Sequence, residues 1–299
     1  MSPMLPAQAL ETAFIESCEC ELQAFKPGNV SVYSEAHDMT VEDFRVSARV
    51  SAPFLADYRL SLGEKIVRAV RATRAAVRCN TNLGILLLAA PLMQACQIDG
   101  DSGNLRERLN RVLEETTVDD CAQVYEAIRE AAPGGLGEVD AQDVQNTAPQ
   151  ITLYEAMKLA AERDRIAYQY TVSFKDIFDF AIPRYHSGTS RWGDEAWAAV
   201  FVFSGLLEKI PDTHIQRKFG NRFTGMVTER MTALNRMLSQ SDRPEVAMQL
   251  LYEVDTEFKS SGVNPGTTAD LTVACLLAVR LENLLCRCVG SLRRDSMDA

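Results

Sequence analysis

An all-α fold is predicted by three features of the sequence. Apolar residues recur at helical spacing through most of the 299 residues, strand-like alternation bounded by turns is nearly absent, and several stretches open on helix-capping signals. With 46% hydrophobic residues the chain can bury a large core. These features predict a large bundle of about ten helices around a buried central helix. It forms a single domain, with two lobes joined near residues 133–150 as the other option.

The first helix is expected from about Gln8 to Phe25, where Pro27-Gly28 stops it. The second starts at Thr40 as N-cap, with Asp43 three residues on and Met39 placed to pack on Phe44; it runs to about Tyr58. A third over Leu62 to Arg78 has an apolar face of Ile66, Ala69, Val70, Thr73 and Val77, opposite Arg68, Arg71, Arg74 and Arg78. The fourth, Gly84 to Gln97, is apolar all round and belongs at the centre. Amphipathic helices follow at Asn104 to Glu115 and Val118 to Ala131, and Pro133 to Gln150 is the longest irregular segment. A capping box at Thr152 and Glu155 reopens helix through Phe180, which breaks at Pro183 to Gly193 and returns over Glu195 to Lys209. The last three helices cover His214 to Ser239, Pro244 to Ser260 and Thr268 to Val289.

A net charge of -10 excludes a nucleic-acid coat, because phosphate neutralisation needs a positive surface. Any phosphate site must be a local basic pocket. The longest apolar runs, Ile85 to Cys96, Ala196 to Leu207 and Leu271 to Val279, are shorter than the roughly 20 residues of a membrane span. Eight cysteines lie scattered without zinc-site spacing. With no signal peptide at the start, they read as reduced, packed thiols, which places the protein in the cytoplasm. Exposed apolar helix faces could serve a homodimer.

Three loop-to-helix junctions are candidate anion sites: Lys26-Pro-Gly28-Asn29-Val30, Asn80-Thr81-Asn82-Leu-Gly84, and Asn264-Pro-Gly266-Thr267-Thr268-Ala-Asp270. Small residues allow close backbone approach, and the Asn and Thr side chains can bond oxygens. Taken alone, Thr267 and Asp270 also read as a capping box. Glu35, His37 and Asp38 precede the second helix, where they could hold a metal or move a proton; the alternative is a polar loop whose Asp38 favours the helix dipole. Asp212, His214, Arg217 and Lys218 start a later helix. The arginine face of the third helix reads most simply as solvated, although Arg78 leads into the Asn80 loop. Trp192 is either part of a lid or a packed aromatic.

Taken in order, these stretches resemble the triphosphoribosyl-dephospho-CoA synthase family, close to the branch found in archaea and in bacteria that make tetrahydromethanopterin. The resemblance rests on ELQAFKPGNV from Glu21, AHDM from Ala36 followed by Phe44, and NTNLGILL from Asn80 with Pro91. It continues in AERDRIAYQY from Ala161, PDTHIQRKFG from Pro211 and NPGTTADL from Asn264. It implies an all-α enzyme that uses ATP and Mg²⁺ and releases adenine as a triphosphoribosyl group joins a hydroxyl of dephospho-CoA. On that reading Asp38 or Asp270 holds Mg²⁺, while Lys26, Arg217 and Lys218 neutralise phosphate oxygens. The proton of the acceptor goes to Glu21, Glu35 or Asp164, and His37 or His214 protonates the departing base. Two other readings remain: related transfer to a ribitol-containing tetrahydromethanopterin precursor, and a helical nucleotide-binding protein without turnover.

Overall fold

The computed structural model describes residues 5–35, 39–98, 103–131 and 149–295. Among them the regular structure is helical, and the one backbone bridge, Ser31 with Ser34, stands alone. The first six helices are α1 (Ala7–Gln23), α2 (Val41–Ala56), α3 (Leu62–Val77), α4 (Leu83–Ala95), α5 (Leu105–Glu114) and α6 (Val118–Ala131). They are followed by α7 (Leu153–Ala160), α8 (Arg165–Thr171), α9 (Ile182–Trp192) and α10 (Glu195–Lys209). The last four are α11 (Thr213–Phe219), α12 (Thr224–Gln240), α13 (Met248–Ser260) and α14 (Gly266–Asp295).

Fourteen α-helices therefore stand among the described residues where about ten were expected, chiefly because two long apolar patterns are interrupted and one segment read as a break is helical. The pattern expected from Thr152 to Phe180 divides into α7, α8 and a π-helical turn at Asp176–Ala181. The pattern expected from His214 to Ser239 divides at Gly220, whose φ of 58° ends α11. The break expected at Pro183–Gly193 is instead helix α9. Pro183 sits in its first turn, where a missing N–H costs nothing, and Gly188 lets α9 close on Ala198 of α10, whose Cα would lie 2.9 Å from an added Cβ. Trp192 is packed rather than free: its indole N–H donates to the Ser241 carbonyl and its ring meets Phe201 edge-on. The lobe boundary placed at 133–150 falls mainly on residues outside the described set.

The starts read from sequence are built as expected. Thr40 and Asp43, and Thr152 and Glu155, form reciprocal capping boxes. Ser61 with Glu64 and Asn104 with Glu107 do the same. Helix α4 is buried along almost its whole length, as its unbroken apolar pattern requires, and it packs on α14, α5, α3 and α2. It shares the centre with α10 and the first half of α14, which bury Val200 to Leu207 and Leu271 to Val279. No helix among the described residues is long and apolar enough to cross a membrane.

The arginine face of α3 is tied to its neighbours. Arg71 pairs with Glu126 and Glu130 of α6, and Arg68 with Glu64. Arg78 ends the helix in a left-handed conformation (φ 61°) and its carbonyl accepts from Arg74.

Candidate active site

Four helices start at the rim of one cavity of about 300 Å³. Residues 80–85 open α4, Asp164 and Ile166 open α8, His214 and Arg217 belong to α11, and Asn264 to Asp270 open α14. A helix start carries unpaired amides and a positive dipole end, so four of them aimed at one space make it attractive to anions. Side chains satisfy some of these amides. Asp164 accepts from Ile166 and Ala167, Asp212 accepts from His214 and Ile215, and Asn80 accepts from Leu83 at 3.2 Å. Among the described residues the amides of Gly84, Ile85 and Thr267, all at the cavity, have no partner.

Acidic groups face the same space. Glu21, from the last turns of α1, is buried, and burial raises its carboxyl above the ordinary range while Lys26 pulls it back. Asp270 is held well above the usual carboxylate range, first by burial, then by the charges of Glu21 and Asp212, against the opposing Arg217. No described donor bonds to the Asp270 carboxylate. Asp164 is different: Arg217 Nη1 donates to its Oδ2 at 2.6 Å, and its Oδ1 caps α8. His214 is pushed below the usual imidazole range, chiefly by burial and further by Arg217 and Lys218, against Asp212. It is therefore a neutral hydrogen-bonding ring at neutral pH.

Gly84 explains how the acid reaches the helix start. A Cβ there would lie 2.0 Å from Asp270 Oδ2 and 2.7 Å from Ile166 Cδ1. Gly84→Ala is expected to displace the Asp270 carboxylate and lower turnover by about 100-fold. Turnover and circular dichroism of the purified variant check this, the helical signal remaining that of the parent.

The junctions expected to hold phosphate divide in two. Glu21, Asn29, Asn80, Thr81, Asn82 and Gly84 line the cavity, as do Asp164, His214, Arg217, Asn264, Gly266, Thr267 and Asp270. The others serve the frame around it. Lys26 is fully buried and its ammonium donates to the carbonyls of Glu21, Ala24 and Val30, so it has no proton left for a phosphate. Gly28, at φ 81°, donates its amide to Asp255 and lies against the Val263 carbonyl. Asp212 takes four protein hydrogen bonds, two from α11 and two from Thr268, and so ties two helix starts together rather than meeting substrate. Thr268 is used up in that tie. Lys218 lies over the Phe219 ring and Arg78 ends α3, both away from the cavity lining.

Glu35 also lies outside the lining; its carboxylate accepts from the Val41 amide and its carbonyl from Lys259. His37 and Asp38 lie outside the described residues. Thr267 does not form a capping box with Asp270: its hydroxyl meets that of Thr213 and accepts from the His214 amide.

The sequence reading missed the apolar wall of Met39, Phe44, Leu83, Ile85, Leu87 and Ile128. Met39 and Phe44 carried a signal, as a staple over α2, whereas nothing near Ile128 in α6 distinguishes it from any core residue. Among the described residues no group of three or more His, Cys, Asp or Glu side chains is placed to hold a metal ion.

No curated protein matches the chain. It is similar to the crystal structure of a "putative triphosphoribosyl-dephospho-CoA synthase" from Archaeoglobus fulgidus, at 28% identity and a TM-score of 0.60, over 78% of this chain and 96% of that one. The family profile described as ATP:dephospho-CoA triphosphoribosyl transferase (CitG) matches residues 7–288. A match over nearly the whole length, with the quoted junctions gathered at one cavity, makes this chain a transferase that belongs to the ATP:dephospho-CoA triphosphoribosyl transferase family.

Proposed function

We propose that the cavity binds ATP and transfers its triphosphoribosyl group to a hydroxyl of dephospho-CoA, releasing adenine. The observation that supports this most is the meeting of unpaired helix-start amides and Arg217 with two carboxylates of raised pKa in one space. A triphosphate suits the amides and the guanidinium, and glycosyl transfer needs a group that takes a proton.

The C1'–N9 bond of ATP breaks as the acceptor oxygen bonds to C1' from the opposite face, so a β nucleotide gives an α product by single inversion. Glu21 takes the acceptor's proton. Glu35 is outside the cavity lining, and both Asp164 oxygens are already engaged with Arg217 and the start of α8. The electron pair of the broken bond leaves with adenine, which gains a proton at nitrogen. His214, neutral and in the lining, is suited to donate a hydrogen bond to the departing ring. The wall of Met39, Phe44 and Ile128 suits the faces of a purine. Asp270 would hold Mg²⁺ together with phosphate oxygens, and the ion would spread the negative charge of the triphosphate.

Incubation of the purified protein with ATP, Mg²⁺ and dephospho-CoA is expected to yield free adenine, read by chromatography, in proportion to acceptor consumed. Adenine formed only with a ribitol-containing pterin intermediate would replace the acceptor, and no adenine with either would remove the transferase reading.

A further inference from the structure

Asn82 caps α4 in name only. Its backbone holds the N-cap position, yet its side chain makes no capping hydrogen bond, although the Gly84 and Ile85 amides that a cap would take have no partner among the described residues. An asparagine at this position ordinarily spends its oxygen on the first turn. Here the side chain is 5% exposed and its Nδ2 has no hydrogen-bond partner. A buried donor left unpaired is unfavourable and rare enough in folded proteins to require a reason.

Behind the reaction cavity lies a second, much smaller chamber of about 10 Å³, lined by Cys18, Glu21, Phe44, Ala48, Asn82 and Val273 among others. That is room for one water molecule. Its walls are apolar apart from the Cys18 thiol, the Glu21 carboxylate and the Asn82 amide. One oxygen of Glu21, Oε1, faces Lys26 at 3.2 Å, which leaves acceptor capacity on the carboxylate. Glu21 and Asn82 line both spaces, so the chamber backs directly onto the site.

We propose that this chamber is a hydration site in which one water accepts from Asn82 Nδ2 and donates to the Glu21 carboxylate, making Asn82 a positioning residue for the base. The role given to Glu21 rests on the transferase reading above; the hydration site does not. The water completes the hydrogen bonding of two buried groups at once and fixes the rotamer of Glu21 from the side away from substrate.

A crystal structure of the full chain at a resolution that places ordered water tests the site directly. Density within hydrogen-bond distance of both Asn82 Nδ2 and the Glu21 carboxylate is expected in the wild type and absent in Asn82→Leu. Ala48→Val narrows the chamber without touching either polar group and is expected to expel the water too. Both variants should lower kcat by about tenfold while KM for ATP stays within about twofold, less than the roughly 10²–10⁴ that loss of a base itself costs. A dry chamber in the wild type, Asn82 Nδ2 bonded directly to nucleotide in an ATP complex, or unchanged kcat in both variants would overturn the proposal. Failure of the transferase reading looks different: the wild type then releases no adenine, whatever the density in the chamber.

Discussion

Asp270→Asn is expected to lower turnover by about 10³-fold and, in the same protein, to raise the melting temperature of the ligand-free form at neutral pH. Both effects come from one arrangement. Asp270 is buried beside the charges of Glu21 and Asp212, with Arg217 opposing them, which lifts its carboxyl well above the ordinary range. In the unfolded chain the same group titrates near the usual aspartate value of about 3.9. Between that value and the folded one the native state binds more protons than the unfolded state, so stability falls as pH rises through the interval. The contribution is fully present in acid and lost toward neutrality. The amide carries no charge and escapes the loss. Thermal melts of both proteins from pH 5 to pH 8 should therefore diverge with rising pH, the variant melting higher by at least about 2 °C at the upper end. Glu21, raised in the same direction, keeps a residual slope in the variant. Equal pH dependence in the two proteins, or a variant that melts lower throughout, would show that the Asp270 charge is already neutralised in the ligand-free site. Retained turnover would remove Asp270 from the machinery altogether.

Much of this was legible before any coordinates. The capping boxes at Thr40 and Thr152 are local chemistry, complete within four residues, so the sequence carries their whole cause. The burial of α4 follows from an apolar pattern without a polar face. The Asn80 and Asn264 junctions could be picked out as helix starts because the loop residues and the helical pattern that follows are adjacent in the chain, and both line the cavity. What could not be read depends on partners far along the chain. Asp212 looks like a ligand from its neighbours, and only the approach of Thr268, 56 positions later, shows that its second oxygen is taken. Pro183 reads as a break unless α10 is known to lie against Gly188. Ile128 becomes a wall of the cavity only through the docking of α6. Proximity was inferred from the resemblance; the division between groups that face substrate and groups that hold the frame needed the fold.

Lys26 carries the largest expected effect on stability. As a lysine before a Gly-Asn turn it has the look of a phosphate ligand, and Lys26→Met would on that view raise KM for ATP and leave the fold alone. The structure argues for the reverse. Its ammonium is fully buried, bonded to the Glu21 and Val30 carbonyls at 2.8 Å each and to the Ala24 carbonyl at 3.3 Å, with the Glu21 carboxylate at 3.2 Å. Methionine keeps the length of the side chain and removes every one of these donors. The Ala24 and Val30 carbonyls then lose their described donor, the Glu21 carbonyl keeps only the Ala24 amide, and the buried carboxylate loses its cation, a loss of about 3–5 kcal/mol by analogy with other broken buried pairs. The melting temperature should fall on the order of 10 °C. In the fraction that remains folded, Glu21 has lost the cation that lowers its carboxyl, so its pKa climbs further. It then holds a proton at pH values where the wild-type group is free to accept one. Turnover at neutral pH should drop while KM for ATP moves less than about threefold. Thermal melts and steady-state kinetics on the same preparation separate the two views: an unchanged melt with a raised KM would return Lys26 to the phosphates and leave the frame of the cavity to be explained by other residues.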